Sequence, residues 1–513
     1  MFTRRHFIAG AAATALAAPA IIRAQTVFRR YPFSLGIAAG DPSPEGFVIW
    51  TRLAPEPLDS HGGMATAPMA VKWEVAADER FASIVAQGEE VARTELAHSV
   101  HVEVAGLRPD RPYWYRFTVP GERSIHGHAR TLPLASASPE ALRFGVCGCQ
   151  SYEDGYYGAH RHLAREELAF VYHYGDYIYE YRGGPVRPGR GGALTQAVRE
   201  IAGDTLYDIA DYRRRYAQYK ADPDLQRAHA AHAFFMTYDD HEVRDNWVQD
   251  IGDDATPGEI FRTRRAMALQ AWYEHQPVRR ASMPRNGEIA LHRSARYGGL
   301  AEFDFLDTRQ FRSNQPCGDG FKPVCPEVRA EAATVLGAEQ EAWLARNLSR
   351  REARWNCLAQ QIMMMAMDRR TREDEPAPIR NMDTWAAYEV PRQRLLDRMR
   401  GLGNVVVLTG DEHQNFAGLL HDGDTPVAAE FVATSISSGG DGSDLRPGSD
   451  RILANNPQLR FINDQRGYLT CDVTPDEWKT NFMVMDRVSA PGGSISKRAT
   501  MAVARGEVAL RQA

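Results

Sequence analysis

An aromatic run of residues that ends in Gly-Asp constrains the fold of this chain more than any other stretch. Residues 170–174, Phe-Val-Tyr-His-Tyr, suit a pleated surface and predict a buried strand. Gly175 lets the chain turn, so Asp176 is predicted to lie at the edge of a sheet. Tyr179 faces the same way as Asp176 if the chain turns helically there. A carboxylate and a phenol that converge at a strand end indicate a site for a hard metal ion; a core strand with a polar cap is the alternative.

Three other predicted strands also end in side chains that bind metals. Cys149 follows one of them, and the run Asp-Asp-His-Glu at residues 239–242 follows the next. Asp411 and His413 follow the third, and on an extended chain their i, i+2 spacing directs both to one side. Sites in open α/β sheets form at the carboxyl ends of the strands. Four such ends are hard to explain by capping alone, so the sequence predicts one shared metal site.

The N-terminus has the pattern of a targeting segment. Arg4 and Arg5 precede an apolar, Ala-rich stretch over residues 8–22. This pattern is typical of a twin-arginine signal peptide, which we expect to span residues 1–24. An ordinary secretory signal and a retained anchor are the alternatives, although the apolar run is short for a membrane span. The mature protein is expected to be periplasmic or extracellular, exported by the twin-arginine route, with no stable membrane anchor.

The chain of 513 residues is too long for one ordinary core and predicts two domains. Residues 28–132 carry short strands separated by turns, and this region resembles a fibronectin type III-like β-sandwich. From residue 140 to 513 strands alternate with helices, which is typical of an α/β domain. The predicted strands there cover residues 144–147, 169–174, 233–238, 300–306, 355–366, 405–409 and 431–435, and the predicted helices cover residues 212–221, 259–273 and 338–350.

Composition limits the partners of the chain. Its 61 Lys and Arg residues are balanced by 66 Asp and Glu residues, and no fold signal of a nucleic-acid-binding domain is present. We therefore expect no nucleic-acid partner, and nothing in the sequence demands more than a monomer.

Cys317 and Cys325 flank a Gly-Asp-Gly loop, which is compatible with a disulfide in an oxidising compartment. Cys357 and Cys471 lie in apolar runs and are expected to be buried thiols.

Three ordered motifs resemble those of the calcineurin-like metallophosphoesterases. They are Gly-Asp-x-x-Tyr at residues 175–179, Asp-Asp-His-Glu at 239–242 and Gly-Asp-x-His at 410–413. More closely, they resemble the PhoD alkaline phosphatase/phosphodiesterase family. Further blocks fit that family at residues 149–150, 306–309, 355–361 and 381–385. The resemblance covers nearly the whole mature chain and implies a β-sandwich followed by an α/β/β/α metallophosphoesterase domain.

The resemblance, combined with coordination chemistry, implies a first metal ion held by Cys149, Asp176, Tyr179 and His413. Tyr ionises near pH ~10, so a phenolate ligand at neutral pH requires a strong Lewis acid. Fe3+ fits this requirement and Zn2+ fits it poorly. The related purple acid phosphatases also use a Tyr-ligated ferric ion, which supports the same assignment.

A second ion is implied beside the first. Asp240 stands where purple acid phosphatases place Asn, and Asp411 stands where they place the first His of Gly-His-x-His. Oxygen ligands thus replace nitrogen ligands, and oxygen-rich sites favour Ca2+, Mg2+ or Mn2+. The PhoD family implies Ca2+, so both arguments agree. Asp176 would bridge the two ions.

These features predict a metal-dependent phosphoesterase that attacks phosphate mono- or diesters with a metal-bound hydroxide. Asp176 and His241 are the predicted catalytic residues, with His241 binding the phosphoryl group or protonating the leaving oxygen. Arg244 and Asn246 are further candidates for substrate contacts, although Arg244 could equally form a surface salt bridge. A phospholipase D-type phosphodiesterase and a non-catalytic exported binding module are the alternative functions.

Overall fold

We analysed a computed structural model that describes residues 28–59, 61–188, 194–252, 256–376 and 378–513. The predicted twin-arginine signal peptide, residues 1–24, lies outside these residues. In the part of the chain that is described, no helix combines the length and the apolar character that a membrane span requires.

Residues 28–132 consist of strands joined by turns and one single-turn 3-10 helix. Apart from residue 60, which is not described, this region has eight strands: β1 Ile37–Ser43, β2 Gly46–Arg52, β3 Met69–Ala76, β4 Ile84–Ala92, β5 Ser99–Val104, β6 Pro112–Val119, β7 Glu122–Arg123 and β8 Gly127–Arg130. Five of these strands (β3, β4, β6, β7 and β8) form one sheet, and β1, β2 and β5 lie in another. Val71, Tyr115 and Phe117 from the first sheet pack against Ile37 and Phe47 from the second. The closer likeness to a fibronectin type III domain stays a prediction.

Beyond residue 140, the described ranges contain eighteen further strands. They are β9 Leu142–Cys147, β10 Val171–His173, β11 Val186–Pro188, β12 Leu194–Gln196, β13 Ala233–Met236, β14 Arg293–Tyr297, β15 Ala301–Phe305, β16 Phe321–Pro323, β17 Trp355–Ala359, β18 Ile379–Asn381, β19 Val405–Thr409, β20 Asn415–Asp422, β21 Thr425–Val432, β22 Leu459–Asn463, β23 Gly467–Val473, β24 Glu477–Met485, β25 Ile495–Ala504 and β26 Glu507–Gln512.

Two large sheets pack face to face. One has ten strands in the order β26-β25-β24-β23-β9-β10-β13-β1-β2-β5, and the other has seven in the order β14-β15-β17-β19-β21-β20-β22. Aromatic side chains fill the space between them: the Phe144 ring lies 5.1 Å from the Phe303 ring and 5.7 Å from the Trp478 ring, centroid to centroid. Burial of this apolar surface holds the two sheets together.

The ten-stranded sheet joins the N-terminal strands to the rest of the chain. Strand β1 pairs in parallel with β13, with Ala39 opposite Ala233. Gly40 makes this junction possible, because a Cβ there would lie 2.1 Å from the carbonyl oxygen of Pro277. The ten-stranded sheet therefore contains strands from both sides of the domain boundary predicted between residues 132 and 140.

In the described part of the chain, seven α-helices cover the outer faces of the two sheets. They are α1 Gly158–Leu163, α2 Ile209–Lys220, α3 Pro223–Ala231, α4 Gly258–His275, α5 Gly337–Arg350, α6 Glu389–Met399 and α7 Ser449–Asn455. The first four pack on the ten-stranded sheet, and the last three pack on the seven-stranded sheet. The sequence specifies some helix starts directly: Asp208 caps α2 by accepting a hydrogen bond from the backbone N–H of Asp211.

Most predicted elements lie within a few residues of the observed ones, and two strand predictions were wrong in extent. The strand predicted over residues 355–366 ends at Ala359. Beyond it the backbone N–H groups of Met364 and Met365 bond to the buried carboxylate of Glu430, so this apolar run leaves the sheet. The strand predicted over residues 431–435 begins earlier, at Thr425. An apolar run alone does not distinguish a sheet ladder from a buried loop.

Several histidines outside the strand-end motifs are buried in neutral surroundings. Burial lowers the pKa of His232 to about 4, while its bond to the carbonyl oxygen of Leu163 opposes the shift. His160, His173 and His229 are buried and also have lowered pKa values, chiefly because of burial. These side chains lie in the core, on or beside α1, α3 and β10.

We expect His232→Gln to change how stability depends on pH. Because the folded pKa of His232 lies below the ordinary value of about 6.5, the unfolded chain binds the extra proton as the pH falls, and the folded state loses stability. The variant lacks this proton uptake, so its free energy of unfolding relative to the native chain should rise by about 2 kcal/mol between pH 7.5 and pH 5. Urea unfolding of both proteins at the two pH values measures the difference between their free energies of unfolding. A difference that does not change with pH would contradict the lowered pKa of His232.

Candidate metal centre

The four strand ends predicted to share a site do meet. Strands β9, β10 and β13 are neighbours in the ten-stranded sheet, while β19 belongs to the facing sheet. The Tyr174 ring bridges the gap, because it packs on Gly148 after β9 and on Gly410 after β19. A Cβ at either glycine would lie within 2.3 Å of that ring. These two glycines therefore allow strand ends from different sheets to approach each other.

The backbone is left-handed at four of the six predicted metal ligands. The φ angles are 49° at Cys149, 54° at Asp176, 65° at Asp411 and 50° at His413. Such angles are uncommon for residues with a side chain and cost free energy. The helical turn predicted between Asp176 and Tyr179 does not form, and the two side chains meet through this left-handed conformation instead.

The side chains of the four residues predicted to hold the first ion lie close to one another. Ligand atoms of Cys149, Asp176 and His413 all lie within 4.8 Å of one another. The Cys149 Sγ atom is 3.3 Å from Asp176 Oδ2, to which the Tyr179 hydroxyl donates at 2.9 Å. The same hydroxyl oxygen is 3.1 Å from Nε2 of His413. Sulfur, nitrogen, carboxylate and phenol donors thus converge on one buried point.

A second cluster consists of carboxylates. Ligand atoms of Asp239, Asp240 and Asp411 lie within 4.8 Å of one another, and Asp240 also lies within that distance of Asp176 and His241. Asp176 is therefore common to two groups, one with Cys149 and His413 and the other with Asp240. Among the described residues, Asp176 Oδ1, Asp240 Oδ1 and Asp239 Oδ2 are buried without a hydrogen-bond partner. Buried carboxylate oxygens without partners fit bound cations.

The pKa values of the clustered side chains also indicate bound cations. Burial, reinforced by nearby carboxylates, raises the pKa values of Asp176 and Asp411 well above the ordinary range. Burial and the neighbouring Asp176 likewise raise the pKa values of Cys149 and Tyr179. All four groups can be ionised together only if positive charge is placed among them. The donor set therefore fits the two metal ions that the sequence resemblance implied.

Asp239 was not among the predicted ligands. Its position beside Asp240 in the Asp-Asp-His-Glu run was the available signal. Arg309 donates to Asp239 Oδ1 at 2.6 Å and also to Asp383 Oδ2 at 2.8 Å, so one Asp239 oxygen is engaged and the other faces the cluster. Arg309 is fully buried and compensates part of the carboxylate charge.

Glu242 holds two of the strand-end segments in place. Its carboxylate accepts backbone N–H bonds from Asp176 at 3.1 Å, Tyr177 at 2.6 Å and Asp239 at 2.9 Å. One side chain thereby fixes the segments after β10 and β13 relative to each other. The Asp-Asp-His-Glu run contains Glu242, yet its spacing alone does not reveal that its partners are backbone amides.

His241 lies at the edge of the two clusters with a defined orientation. Its Nδ1 atom is 2.8 Å from Glu180 Oε2, and because a carboxylate only accepts, Nδ1 carries a proton. Its ring stacks near Tyr179 at 4.1 Å between centroids, and Nε2 lies 4.0 Å from Asp240 Oδ2. Burial works against protonation, but Asp240, Asp176 and Glu180 together raise the pKa of His241 well above its ordinary value.

Arg244 and Asn246, predicted to contact substrate, lie beside the clusters. Arg244 donates to Glu180 Oε1 at 3.3 Å, so it supports the partner of His241. The backbone N–H of Asn246 donates to Asp240 Oδ2 at 2.8 Å, and its side chain donates to Asp319 at 2.8 Å. Asp319 belongs to the loop closed by a Cys317–Cys325 disulfide. Substrate contact by either residue stays a prediction.

Comparisons with known proteins show the family of this chain. The family model described as PhoD-like phosphatase matches residues 144–482, and the model for the N-terminal domain of PhoD-like phosphatases matches residues 16–133. Alkaline phosphatase D of Bacillus subtilis (strain 168) is 44% identical over 528 aligned positions, which cover 100% of this chain and 89% of that protein. A solved structure of PhoD superposes with a TM-score of 0.91 at 45% identity, covering 95% of this chain and 93% of that one.

These matches define the class of protein, which is a phosphoric ester hydrolase, as the motifs predicted. Within that class, the chain belongs to the PhoD-like phosphatase family.

Proposed function

We propose that the protein is an exported, metal-dependent phosphoesterase of the alkaline phosphatase D type that hydrolyses phosphate monoesters, diesters or both. One observation carries this proposal: Asp176 belongs to two ligand groups, one with Cys149 and His413 and one with Asp240 and His241, and Asp176 Oδ1 and Asp240 Oδ1 are buried without a hydrogen-bond partner. Paired metal sites that share a carboxylate suit phosphoryl transfer to water. The Bacillus relative that matches the full length of this chain is named for the same activity.

The donor sets support Fe3+ in one cluster and Ca2+ in the other, with Mg2+ or Mn2+ as substitutes for Ca2+. Cys149, Asp176, Tyr179 and His413 would hold Fe3+, because a phenolate donor at neutral pH requires a strong Lewis acid. Asp176, Asp240 and Asp411 would hold Ca2+, because all their donors are carboxylate oxygens. We further propose a fibronectin type III-like sandwich for residues 28–132 and an α/β/β/α metallophosphoesterase domain from residue 140.

When bound, the two ions supply Lewis-acid activation of water and of the phosphoryl oxygens. The protein residues supply orientation and proton transfer. Glu180 accepts a hydrogen bond from Nδ1 of His241. Nε2 is therefore the imidazole atom that is left to donate to a phosphoryl oxygen or to the leaving oxygen. Glu242 keeps Asp176 and Asp239 at fixed positions throughout.

Hydrolysis assays with metal analysis test this proposal. The purified protein is expected to cleave aryl phosphate mono- or diesters, to contain iron and to show a visible ferric-phenolate band. Removal of Ca2+ by a chelator should reduce the rate at least about 10-fold, and added Ca2+ should restore it. An iron-free, colourless and fully active protein would defeat the ferric assignment, whereas activity unchanged after Ca2+ removal would defeat the second site.

The same assays separate the alternative functions. A phospholipase D-type phosphodiesterase would release the alcohol head group from a phosphodiester lipid faster than it cleaves the aryl esters. The non-catalytic binding module considered from the sequence is excluded, because the chain is a phosphoric ester hydrolase.

We also propose export by the twin-arginine route, supported by Arg4 and Arg5 and the apolar stretch that follows them. Cell fractionation compares the native chain with the Arg4→Lys/Arg5→Lys variant. The native protein is expected outside the cytoplasm and the variant inside it; export of both would contradict the route.

A further inference from the structure

We propose that Ser438 is a positioning residue whose hydroxyl donates a hydrogen bond to the Tyr179 oxygen and sets how that oxygen meets a bound cation. The inference rests on the proposed function only in assuming that the cluster of Cys149, Asp176 and His413 holds a metal ion. Neither the sequence motifs nor the family resemblance pointed to Ser438.

Ser438 links two of the strand-end segments. It is buried, with 1% of its surface exposed, and follows strand β21. Its Oγ atom lies 2.7 Å from the Tyr179 hydroxyl oxygen and 2.7 Å from the carbonyl oxygen of Cys149. The backbone N–H of Ser151 donates to the same Oγ at 3.0 Å. One hydroxyl therefore contacts segments that follow both β9 and β10.

A count of hydrogens assigns the direction of the bond to Tyr179. The serine has one proton, and while Tyr179 keeps its own proton the serine donates to the Cys149 carbonyl oxygen at 2.7 Å, because a carbonyl can only accept. A Tyr179 phenolate bound to a cation has no proton, so its 2.7 Å contact with Ser438 then needs the serine proton. The Cys149 carbonyl oxygen still accepts the backbone N–H of Ser438 at 3.3 Å.

The backbone of Ser438 is held rigidly, so its hydroxyl has a fixed position. Arg466 Nη1 donates to the carbonyl oxygen of Ser438 at 2.8 Å and to that of His413 at 2.6 Å. The Ser435 hydroxyl donates to the same Ser438 oxygen at 2.7 Å. The hydroxyl that contacts Tyr179 and the ligand His413 are thereby tied to one buried guanidinium, as expected for groups that orient metal ligands.

The chemical consequence concerns the electron density on the Tyr179 oxygen. A hydrogen bond donated to a ligating oxygen withdraws charge from it and restricts its direction. Without Ser438 the oxygen donates more charge to a ferric ion, which lowers the energy of its phenolate-to-metal absorption, and it is oriented less well. Loss of such an outer hydrogen bond typically weakens metal binding about 10- to 100-fold.

The test compares Ser438→Ala with Ser437→Ala and Ser438→Thr after loading each protein with Fe3+. Ser437 is a matched control, because it is equally buried and its hydroxyl donates to the Ser151 carbonyl oxygen, not to Tyr179. In Ser438→Ala the visible band should move to longer wavelength, and iron should be held about 10- to 100-fold more weakly against a chelator. Ser437→Ala should match the native protein in band position and in iron retention. Ser438→Thr keeps the hydroxyl and should also show the native values.

A double-mutant cycle with Tyr179→Phe separates a direct effect from a general structural one. If Ser438 acts through Tyr179, Ser438→Ala should weaken iron retention in the native background and change it little in the Tyr179→Phe background. Additive effects would overturn the inference. Ser438→Cys, a weak donor of similar volume, takes the place of Ser438→Ala if the latter does not fold, with the same expectation.

The outcomes distinguish this inference from the proposed function. A native protein that shows no visible band after Fe3+ loading would overturn the ferric site, and the inference with it. A native band that Ser438→Ala leaves unchanged in position, with iron retention also unchanged, would overturn only the role of Ser438.

Discussion

Replacing Asp176 with asparagine is expected to abolish both metal binding and phosphoester hydrolysis. The two residues have nearly the same shape, but the amide lacks the negative charge that two cation clusters share through Asp176. One Asp176 oxygen lies near Cys149 and accepts from Tyr179, and the other has no partner among the described residues. We expect kcat/KM to fall at least about 1,000-fold, a loss of about 4 kcal/mol of transition-state stabilisation, measured with an aryl phosphate ester.

Metal analysis of the Asp176→Asn protein should find both ions depleted. Asp304→Asn is the matched control, because Asp304 is also a buried carboxyl, hydrogen-bonded to Ser294 and Asn347, and lies outside both clusters. The control should keep its metals and its activity. Retention of one ion in Asp176→Asn would show that Asp176 serves a single site, and full activity would sink the shared-carboxylate model.

Replacing His241 with asparagine is expected to lower kcat and leave the metal content intact. His241 is fixed by Glu180 through Nδ1, so its Nε2 atom is available to donate a proton or a hydrogen bond. Loss of a general acid typically costs about 100- to 10,000-fold, and we expect kcat to fall within that range. Steady-state kinetics with esters of different leaving groups measure the effect, which should be larger for poor leaving groups if His241 protonates the leaving oxygen.

Metal analysis is decisive for His241, because a ring nitrogen also lies within 4.8 Å of Asp176 and Asp240. Unchanged metal content in His241→Asn would support a role at the substrate, whereas loss of an ion would reassign His241 as a ligand. His162→Asn provides the control: His162 bonds to the Gly493 carbonyl oxygen and lies on α1, away from the clusters. It should leave both kcat and metal content unchanged.

Local patterns predicted the regular elements well and the irregular ones poorly. Strand β19 and helices α4 and α5 lie within one or two residues of their predicted positions, because apolar periodicity and turn residues act over short distances. The strand predicted through residues 355–366 was too long, because the partner that draws Met364 and Met365 away from the sheet is Glu430, more than sixty residues along the chain. Such a partner leaves no trace in the local pattern.

The candidate ligands were predicted from strand ends, but their supporting groups were not. Cys149, Asp176 and Tyr179 converge because the carboxyl ends of the parallel strands β9 and β10 lie at one sheet edge, and His413 joins them from the facing sheet. Asp239 also lies in the second cluster, since Arg309 donates to only one of its carboxylate oxygens and the other has no partner among the described residues. No motif marks Ser438, because its proposed role depends on a single hydroxyl group in a loop that is distant in the sequence.

Residue identity and short spacing were enough to predict the family, the order of the strand ends and the types of side chain that each one carries, because these properties are local. The folded chain was needed to show that Asp176 lies both with Cys149 and His413 and with Asp240. It was also needed to show that Glu180 orients His241 and that Ser438 contacts Tyr179. These contacts join residues from separate segments, and the packing of two sheets around Tyr174 sets their distances.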